Sequence, residues 1–274
     1  MIGLRNKTKL TSAPYIVWMA AFIIVPLAMI IFFAFTREDG TPTIDNIIGI
    51  GRWLRVFWNS FCLAFLSTAI CLVIAYPMAY ALSRSKVKKQ RTLLVLITLP
   101  MWMSFLLKTY ALMTLLEDTG IINNLLRMIG LGPYHMINTS GAVVFGMVYD
   151  FLPFMILPLY TVMIKIDHSL LEAADDLGAN NRKTLMKIVL PLSLPGIISG
   201  ITMVFVPSVS SFVISRFLGG SKIELIGDLI EYNFIQKHNP HIGSALSLIL
   251  MIVILILMGI MNTFDDEEIG EMLI

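Results

Sequence analysis

The sequence predicts an all-α membrane protein with six transmembrane helices. Of its 274 residues, 57% are hydrophobic and only 14% are charged, and the mean hydropathy is +0.82. Soluble proteins usually carry about 25% charged residues. Six apolar segments each approach or exceed the roughly 20 residues that cross a bilayer as a helix. They cover about 14–36, 57–82, 92–116, 141–164, 192–217 and 242–263. Together they predict one transmembrane domain over residues 1–274.

Proline occurs in most of the predicted spans. Its ring and its missing N–H disrupt the helical hydrogen-bond ladder, which membrane helices tolerate where a cavity or neighbouring helices satisfy the freed carbonyl groups. Bends are therefore expected, as in a transporter that changes shape, although proline is common in membrane helices of every kind. The prolines within spans are Pro26, Pro77, Pro100, Pro153, Pro158, Pro195 and Pro207.

Lysine and arginine are unevenly distributed between the loops. If the N-terminus is cytoplasmic, twelve of the twenty basic residues fall inside, seven fall outside and Lys108 lies within a span. The basic residues of 1–13 and the dense run 84–91 are then all inside. Because cytoplasmic loops carry the excess of Lys and Arg, we expect both termini in the cytoplasm. The polar segment 167–191 would then be cytoplasmic as well.

The segment 167–191 is the longest polar, helix-forming interruption between the apolar segments. Ser169 and Glu172 stand three residues apart, as in a capping box, which predicts a short helix beginning at Leu170. Gly178 can adopt the left-handed conformation that ends such a helix. A narrow apolar stripe at helical spacing comprises Leu170, Leu171, Ala174 and Leu177.

A second short helix is predicted from about Arg182 to Pro191, whose ring would disrupt a continuing helix. The two helices form an elbow, a helix-turn-helix segment, between the fourth and fifth predicted spans. Basic residues lie on the second arm of this elbow.

The elbow contains Glu172-Ala-Ala, Gly178 and Ile188-x-Leu190-Pro191, in the spacing Glu-Ala-Ala-x3-Gly-x9-Ile-x-Leu-Pro. This pattern resembles the EAA loop of ABC-importer permeases. The resemblance implies a type I importer (MetI-like) bundle whose cytoplasmic coupling helix docks into a groove on an ATPase subunit. It assigns the coupling role to Glu172, Ala173, Ala174 and Gly178. The alternative is an ordinary surface hairpin in which Glu172 serves only as a cap partner.

Two charged residues, Lys108 and Asp150, fall within predicted spans. Intramembrane charges are costly and are candidates for function. At about 1.5 Å per residue, Lys108 lies about 12 Å and Asp150 about 13–14 Å from the outer ends of their spans. One interpretation is therefore a Lys108–Asp150 ion pair. The other is that Asp150 faces the substrate path and attracts a cation.

Three aromatic residues are candidates for the substrate path. Trp102 falls roughly 15 Å from the inner end of the third span, away from the interfaces where tryptophan usually anchors a helix. A ring at that depth can simply pack, or it can present its face to an ammonium group, which is worth roughly 0.5–2 kcal/mol. Tyr110 and Tyr149 could serve in the same way.

Ser208, Ser211 and Ser215 have the i, i+3, i+7 spacing that places side chains on one face of a helix. Small hydroxyl residues commonly allow helices to pack closely. The alternative is that Ser208 and Ser211 line the wall of a translocation path.

Several function classes find no support in the sequence. No G-x-x-x-x-G-K-[ST] loop occurs, so an ATP-driven transporter would need ATPase subunits on other chains, with ATP and magnesium bound there. The HExxH and G-x-S-x-G patterns of hydrolases are absent, so we expect no enzymatic activity. The four histidines form no metal-ligand motif, and a formal charge of +2 is too small to indicate nucleic-acid binding. No cofactor or metal is expected in this chain.

Other stretches carry a more specific pattern, including Leu152-Pro-Phe-Met and Gly219-Gly-Ser-Lys222. With Pro100-Met-Trp102 and Lys108-Thr-Tyr110, they resemble the spermidine/putrescine permeases (PotB type) of ABC importers, from about residue 15 to 262. The resemblance implies a subunit of the bacterial inner membrane that moves polyamines into the cytoplasm by alternating access. Protonated amines on an aliphatic chain suit aromatic faces and a few carboxylates.

The same resemblance implies three kinds of partner besides the lipid bilayer: a second homologous permease, two ATPase subunits and an extracytoplasmic polyamine-binding protein. One alternative is an importer permease for another small solute, such as an anion or a metal chelate. An anion carrier should show a basic lining instead of an acidic and aromatic one. A different class is an ATPase-independent secondary transporter, in which the elbow would have no purpose.

Overall fold

The computed structural model describes residues 14–271, with side chains described for 14–220 and 222–261. The regular structure in this range is helical, with one isolated antiparallel bridge between Thr36 and Pro42. The predicted all-α fold is therefore confirmed. Arg5, Lys7 and Lys9, which contributed to the predicted orientation, lie outside the described residues.

Helices follow one another along the chain, several of them adjoined by a short 3-10 or π turn. In chain order they are α1 (Pro14–Ala34), α2 (Asp45–Ser83), α3 (Val87–Thr98), α4 (Phe105–Leu116), α5 (Ile121–Met128), α6 (Ser140–Met163), α7 (His168–Asp176), α8 (Asn181–Leu192), α9 (Leu194–Ser210), α10 (Ile226–Glu231) and α11 (Pro240–Glu271). Among the described residues, α1, α2, α6 and the Pro240–Met261 part of α11 are each long and apolar enough to cross a membrane.

The third and fifth predicted spans are bent pairs of helices. The axis changes by 91° between Val87–Trp102 and the helices from Phe105 onward, and by 67° between α8 and α9. If each bent pair counts as one span, the chain crosses the membrane six times, as predicted. Neither 92–116 nor 192–217 forms one unbroken helix, in agreement with the bends expected at prolines. Pro100 and the extended backbone at Met103 interrupt the former, and α9 ends at Ser210 within the latter.

The chain forms two compact units. Among the described residues, one comprises 14–54 together with Leu229–Val253, and the other comprises Arg55–Asp228 together with 254–271. In the first unit, the Asn46 amide donates to the carbonyl oxygen of Ala34 at 3.2 Å. His241 Nδ1 lies 3.2 Å from the carbonyl oxygen of Phe33. The prediction of one domain over 1–274 stays a prediction.

Helix α6 is the centre of the second unit. Twelve of its residues are buried, including Met147, Met155 and Leu159. Helix α9 packs against it through glycines: a Cβ on Gly200 would lie 2.6 Å from Met155 Sδ, and one on Gly196 would lie 3.1 Å from the carbonyl oxygen of Pro158. Because these positions lack a side chain, the two helices can approach closely, and α9 is held firmly on α6.

Candidate coupling loop and substrate path

The first arm of the elbow is α7, and Asp167 caps it. The Asp167 carboxylate accepts a hydrogen bond from the Ser169 N–H at 3.0 Å, so the helix begins at His168. The predicted Ser169–Glu172 capping box is wrong, because Ser169 already lies inside the first turn. The Glu172 carboxylate instead lies 3.2 Å from His168 Nδ1. The hydrogen bond from the Ser169 N–H lowers the pKa of the exposed Asp167 carboxyl below its ordinary value.

The turn between the two arms has the predicted geometry. Gly178 has a φ of +76°, the left-handed conformation that favours glycine. The Ala179 N–H donates to the Ala174 carbonyl at 3.0 Å, and the Gly178 N–H donates to the Asp175 carbonyl at 2.9 Å. These two bonds form a Schellman motif, which satisfies carbonyls at the end of α7. The prediction that Gly178 ends this helix is confirmed.

The second arm, α8, has the predicted extent to within one residue at each end. Asn180 caps it by accepting from the Lys183 N–H at 2.9 Å. A π turn follows, in which the Leu190 N–H bonds to the Leu185 carbonyl. The helix ends at Leu192, one residue after Pro191, where the chain bends by 67°, in agreement with the predicted end within the usual uncertainty of a helix boundary.

The predicted apolar stripe of α7 is only partly buried. Leu171 and Ala174 are buried against the chain, whereas Leu177 is 88% exposed. Glu172 and Ala173 are also exposed. The elbow therefore presents a surface of mixed character, an acid beside small and large apolar side chains, which suits a protein partner.

The elbow joins α9 through a hydrogen-bonded bend at Ser193, a residue that the sequence analysis did not single out. The Ser193 side chain is fully buried. Its Oγ donates to the Leu190 carbonyl at 2.9 Å and lies 3.0 Å from the Tyr76 hydroxyl of α2. A movement of the elbow would therefore reach α9 through a bonded joint. The signal in the sequence was the polar serine and its adjacent prolines in Pro191-Leu-Ser-Leu-Pro195.

The intramembrane charges Lys108 and Asp150 form an ion pair. Lys108 Nζ lies 2.8 Å from Asp150 Oδ1, and both side chains are nearly inaccessible, at 6% and 0%. The Thr109 hydroxyl lies 3.3 Å from the other carboxylate oxygen, so it can donate a second hydrogen bond. This ion pair is one of the two interpretations that the sequence left open for these charges. The Asp150 carboxylate is thus engaged within the chain, and its assignment to the substrate path stays a prediction.

Trp102 lies at the break of the third span instead of within a continuous helix. It ends the 3-10 turn Leu99–Trp102, and the next residue, Met103, is extended with a ψ of 150°. Its side chain is 87% exposed. Its depth, predicted from a straight helix, therefore does not carry over to the bent chain.

The two tyrosines are also accessible. Tyr110 is 54% exposed and packs edge-on against Phe217, and Tyr149 is 41% exposed. None of the three predicted rings, Trp102, Tyr110 and Tyr149, stacks on another in the described part of the chain.

The predicted serine stripe is not a stripe, because α9 ends before its second member. Ser211 has an extended ψ of 133° and lies beyond the helix end. Ser208, Ser211 and Ser215 are all buried. Ser208 donates to the carbonyl of Val204 at 2.7 Å, whereas the buried Ser211 hydroxyl has no hydrogen-bond partner. The side chains of the described residues form no group of three or more His, Cys, Asp or Glu that could hold a metal ion.

Comparison with known proteins places these features in one family. The profile of the family described as "Binding-protein-dependent transport system inner membrane component" matches residues 51–267, which include the bent spans, the ion pair and the elbow. The chain belongs to this family. It is thus a multi-pass inner-membrane permease component.

Relatives of this permease are similar over nearly the whole chain. It is 37% identical over 265 residues to the spermidine/putrescine transport system permease protein PotB of Haemophilus influenzae, with 93% of each chain covered. It is 35% identical over 254 residues to PotB of Escherichia coli, with 89% of this chain and 91% of the relative covered.

Solved structures share the fold of this permease at low sequence identity. A chain of a bacterial alginate ABC transporter, crystallised with an alginate pentasaccharide-bound periplasmic protein, has a TM-score of 0.82 and 18% identity. The match covers 96% of this permease and 94% of that chain. The predicted type I importer (MetI-like) bundle is therefore confirmed as the fold.

Proposed function

We propose that this permease is a subunit of an ATP-driven importer that moves polyamines, spermidine or putrescine, into the cytoplasm by alternating access. The observation that carries the proposal is its 33–37% identity to PotB proteins over most of the chain. The exposed aromatic side chains near the break of the third span support it, because ammonium groups bind favourably to aromatic faces.

The elbow is the proposed contact with an ATPase subunit. Glu172, Ala173 and the exposed Leu177 would enter the groove of the ATPase, and Gly178 would set the angle between the arms. Support comes from the bend at Ser193, which joins the elbow to α9, and from the glycine contacts that hold α9 on α6. ATP and magnesium would bind to the ATPase subunits, and this chain would hold no cofactor. Both termini would be cytoplasmic.

The proposed complex has a second homologous permease, two ATPase subunits and an extracytoplasmic polyamine-binding protein. The fold it shares with the alginate transporter, which was crystallised with a periplasmic protein, supports an arrangement of this kind. Substrate would pass along Trp102, Tyr110 and Tyr149. Ser208 and Ser211 are buried in the chain, and Asp150 is paired with Lys108, so these residues would shape the path from behind its surface.

The test of the substrate is spermidine uptake into vesicles that contain the whole complex, with and without internal ATP. Trp102→Ala is compared with Trp58→Ala, because Trp58 is also exposed, at 69%, but lies outside the proposed path. We expect ATP-dependent uptake, with KM about 2- to 30-fold higher in Trp102→Ala only, from a lost cation–π interaction of roughly 0.5–2 kcal/mol. Uptake that does not depend on ATP would support a secondary transporter. An intact complex that hydrolyses ATP but takes up no spermidine would support an importer for another solute.

The test of the coupling role uses Glu172→Leu and Gly178→Leu, with the exposed acid of the outer loop, Glu38→Leu, as the control. We expect the elbow variants to reach the membrane and to lose transport together with co-purification of the ATPase. A Cβ added to Gly178 would meet no neighbouring atom within 4 Å, so any effect of the smaller substitution Gly178→Ala on coupling should come from backbone strain alone. Normal uptake by both leucine variants at the elbow would remove the coupling role.

A further inference from the structure

Three contacts join the beginning of α4 to the middle of α6. Lys108 and Thr109 on adjacent positions of α4 both reach the carboxylate of Asp150, at 2.8 and 3.3 Å. One turn earlier, the ring of Phe105 stacks on that of Phe151, with centroids 6.2 Å apart. Phe105 is the first residue of α4, so these contacts fix the point at which the helix begins.

The break itself provides little to hold α4 in place. Ser104 occupies the N-cap position of α4, but its side chain makes no capping hydrogen bond. Met103 and Ser104 are both extended, with ψ values of 150° and 128°. The direction in which α4 leaves the break therefore depends on its packing, which includes the contacts with α6 and the contact of Tyr110 with Phe217.

The ion pair between Lys108 and Asp150 is suited to holding α4 against α6, because separating the two charges would leave each of them unpaired. An unpaired ammonium or carboxylate within a membrane span is costly, and removing one partner of a buried pair leaves an uncompensated charge. The pair has no net charge, so it adds no repulsion to a path that carries cations. The Lys108 ammonium also lies 5.8 Å from the ring of Phe105, within reach of a cation–π contact.

We propose that Lys108 and Asp150 are positioning residues that fasten α4 to α6 and thereby hold Trp102, three residues before Phe105, at the place where it meets substrate. The proposal concerns a role for Asp150 through Lys108, not direct contact with the transported cation. It rests on the proposed function for the choice of polyamine as the transported probe.

The experiment compares single and paired variants in the complete transporter. The single variants are Lys108→Met and Asp150→Asn, which each leave one charge unpaired. The paired variants are the exchange Lys108→Asp with Asp150→Lys, and the neutral pair Lys108→Met with Asp150→Leu. If the exchanged pair does not assemble, the neutral pair answers the question, because replacing a buried ion pair with apolar residues of similar volume is often tolerated. Lys88→Met, at an exposed lysine, is the matched control.

Two readouts are taken on each complex. The first is acrylamide quenching of Trp102 fluorescence in a background in which Trp18, Trp53 and Trp58 are phenylalanine, measured without substrate. The second is KM for spermidine uptake. We expect both single variants to change the quenching and to raise KM about tenfold, the size of a strong pairwise coupling. Both paired variants should return the two readouts toward wild type.

Three results would have other meanings. Unchanged quenching in single variants that merely assemble in lower yield would overturn the positioning role and leave a structural brace. Restored quenching without restored uptake in both paired variants would overturn the proposal in favour of direct contact between Asp150 and the cation. If the wild-type complex hydrolyses ATP but moves no polyamine, the proposed function fails, and the quenching still decides whether the pair positions Trp102.

Discussion

The two bent spans differ in how their bends are held. At the 91° break, Met103 and Ser104 are extended, and within the described chain the Ser104 N–H has no hydrogen-bond acceptor. At the 67° bend, the Ser193 N–H donates to the Val189 carbonyl at 2.9 Å and the buried side chain contacts Tyr76. The serine N–H at the break in the third span thus lacks an acceptor among the described residues, whereas the serine N–H at the bend in the fifth span is hydrogen-bonded.

This difference suits two mechanical roles. A bonded bend transmits a movement of the elbow into α9 with little loss, because several hydrogen bonds would have to break before it yields. The break in the third span leaves the Ser104 N–H beside Trp102 without an acceptor in the described part of the chain, so packing of the flanking segments, including the contacts between α4 and α6, holds it in place. The comparison can be tested by making the same substitution at both serines.

Proline should separate the two sites most strongly. Ser104 has a φ of −57° and follows an extended residue, so proline fits there, and we expect Ser104→Pro to assemble normally. Ser193→Pro loses the bond to Val189 and follows a helical residue, which should cost about 3 kcal/mol or more. The effect of each proline variant is measured as the yield and the thermal stability of the assembled complex. Equal tolerance at the two sites would contradict the comparison.

Packing of α9 on α6 should show the next largest effect. Gly196→Val places a branched side chain near the Pro158 carbonyl, and overpacking of this kind costs about 1–3 kcal/mol. Gly259→Val is the control, since no atom lies within 4 Å of a Cβ there. The melting temperature of the complex should fall for Gly196→Val alone. An unshifted melting temperature would mean that α9 is not firmly held.

Alanine substitutions at the two serines test a smaller difference. Each lost hydrogen bond should cost about 1 kcal/mol, the net contribution of one such bond to stability. Ser193→Ala and Tyr76→Phe remove the contact between the bend and α2, so we expect fewer substrate molecules transported per ATP hydrolysed. Ser104→Ala removes no capping bond and should leave this ratio unchanged. The ratio is measured as uptake against phosphate release in the same vesicles. A similar loss in Ser104→Ala would show that the third-span break also needs a capped serine.

The smallest effect is expected at the cap of α7. The hydrogen bond from the Ser169 N–H holds the pKa of Asp167 below its ordinary value of 3.8, so the cap stabilises the helix above that pH and is lost only as pH falls through the lowered value. Amide exchange at Ser169, corrected for intrinsic rates, should therefore report the same protection at pH 5 and pH 8. Asp167→Ala should speed amide exchange at Ser169, whereas Asp167→Asn should not, because asparagine also caps helices. A marked change in protection between those pH values would point to another titrating group.

Features that depend on neighbouring residues were predicted well. The elbow, its turn at Gly178 and the apolar segments follow from hydrophobic spacing and from the conformations open to glycine and proline. One local error, the capping box at Ser169, arose because Asp167 two residues earlier offers a competing carboxylate. For Lys108 and Asp150 the sequence left two interpretations open, an ion pair or an Asp150 that faces the substrate path, and the structure shows the ion pair.

The amino-acid sequence is sufficient to predict a bundle of membrane helices with a helical elbow of the importer-permease type. The positions of the bends in the third and fifth spans, and the contacts that hold them, are visible only in the tertiary structure. These bends depend on contacts between residues that are far apart in the sequence, such as Tyr76 with Ser193, 117 positions apart, and Thr109 with Asp150, 41 apart. Hydrophobic periodicity reports which residues avoid water, but it does not report which helix lies beside which. Hydrogen bonds and ion pairs in a dry interior depend on that arrangement.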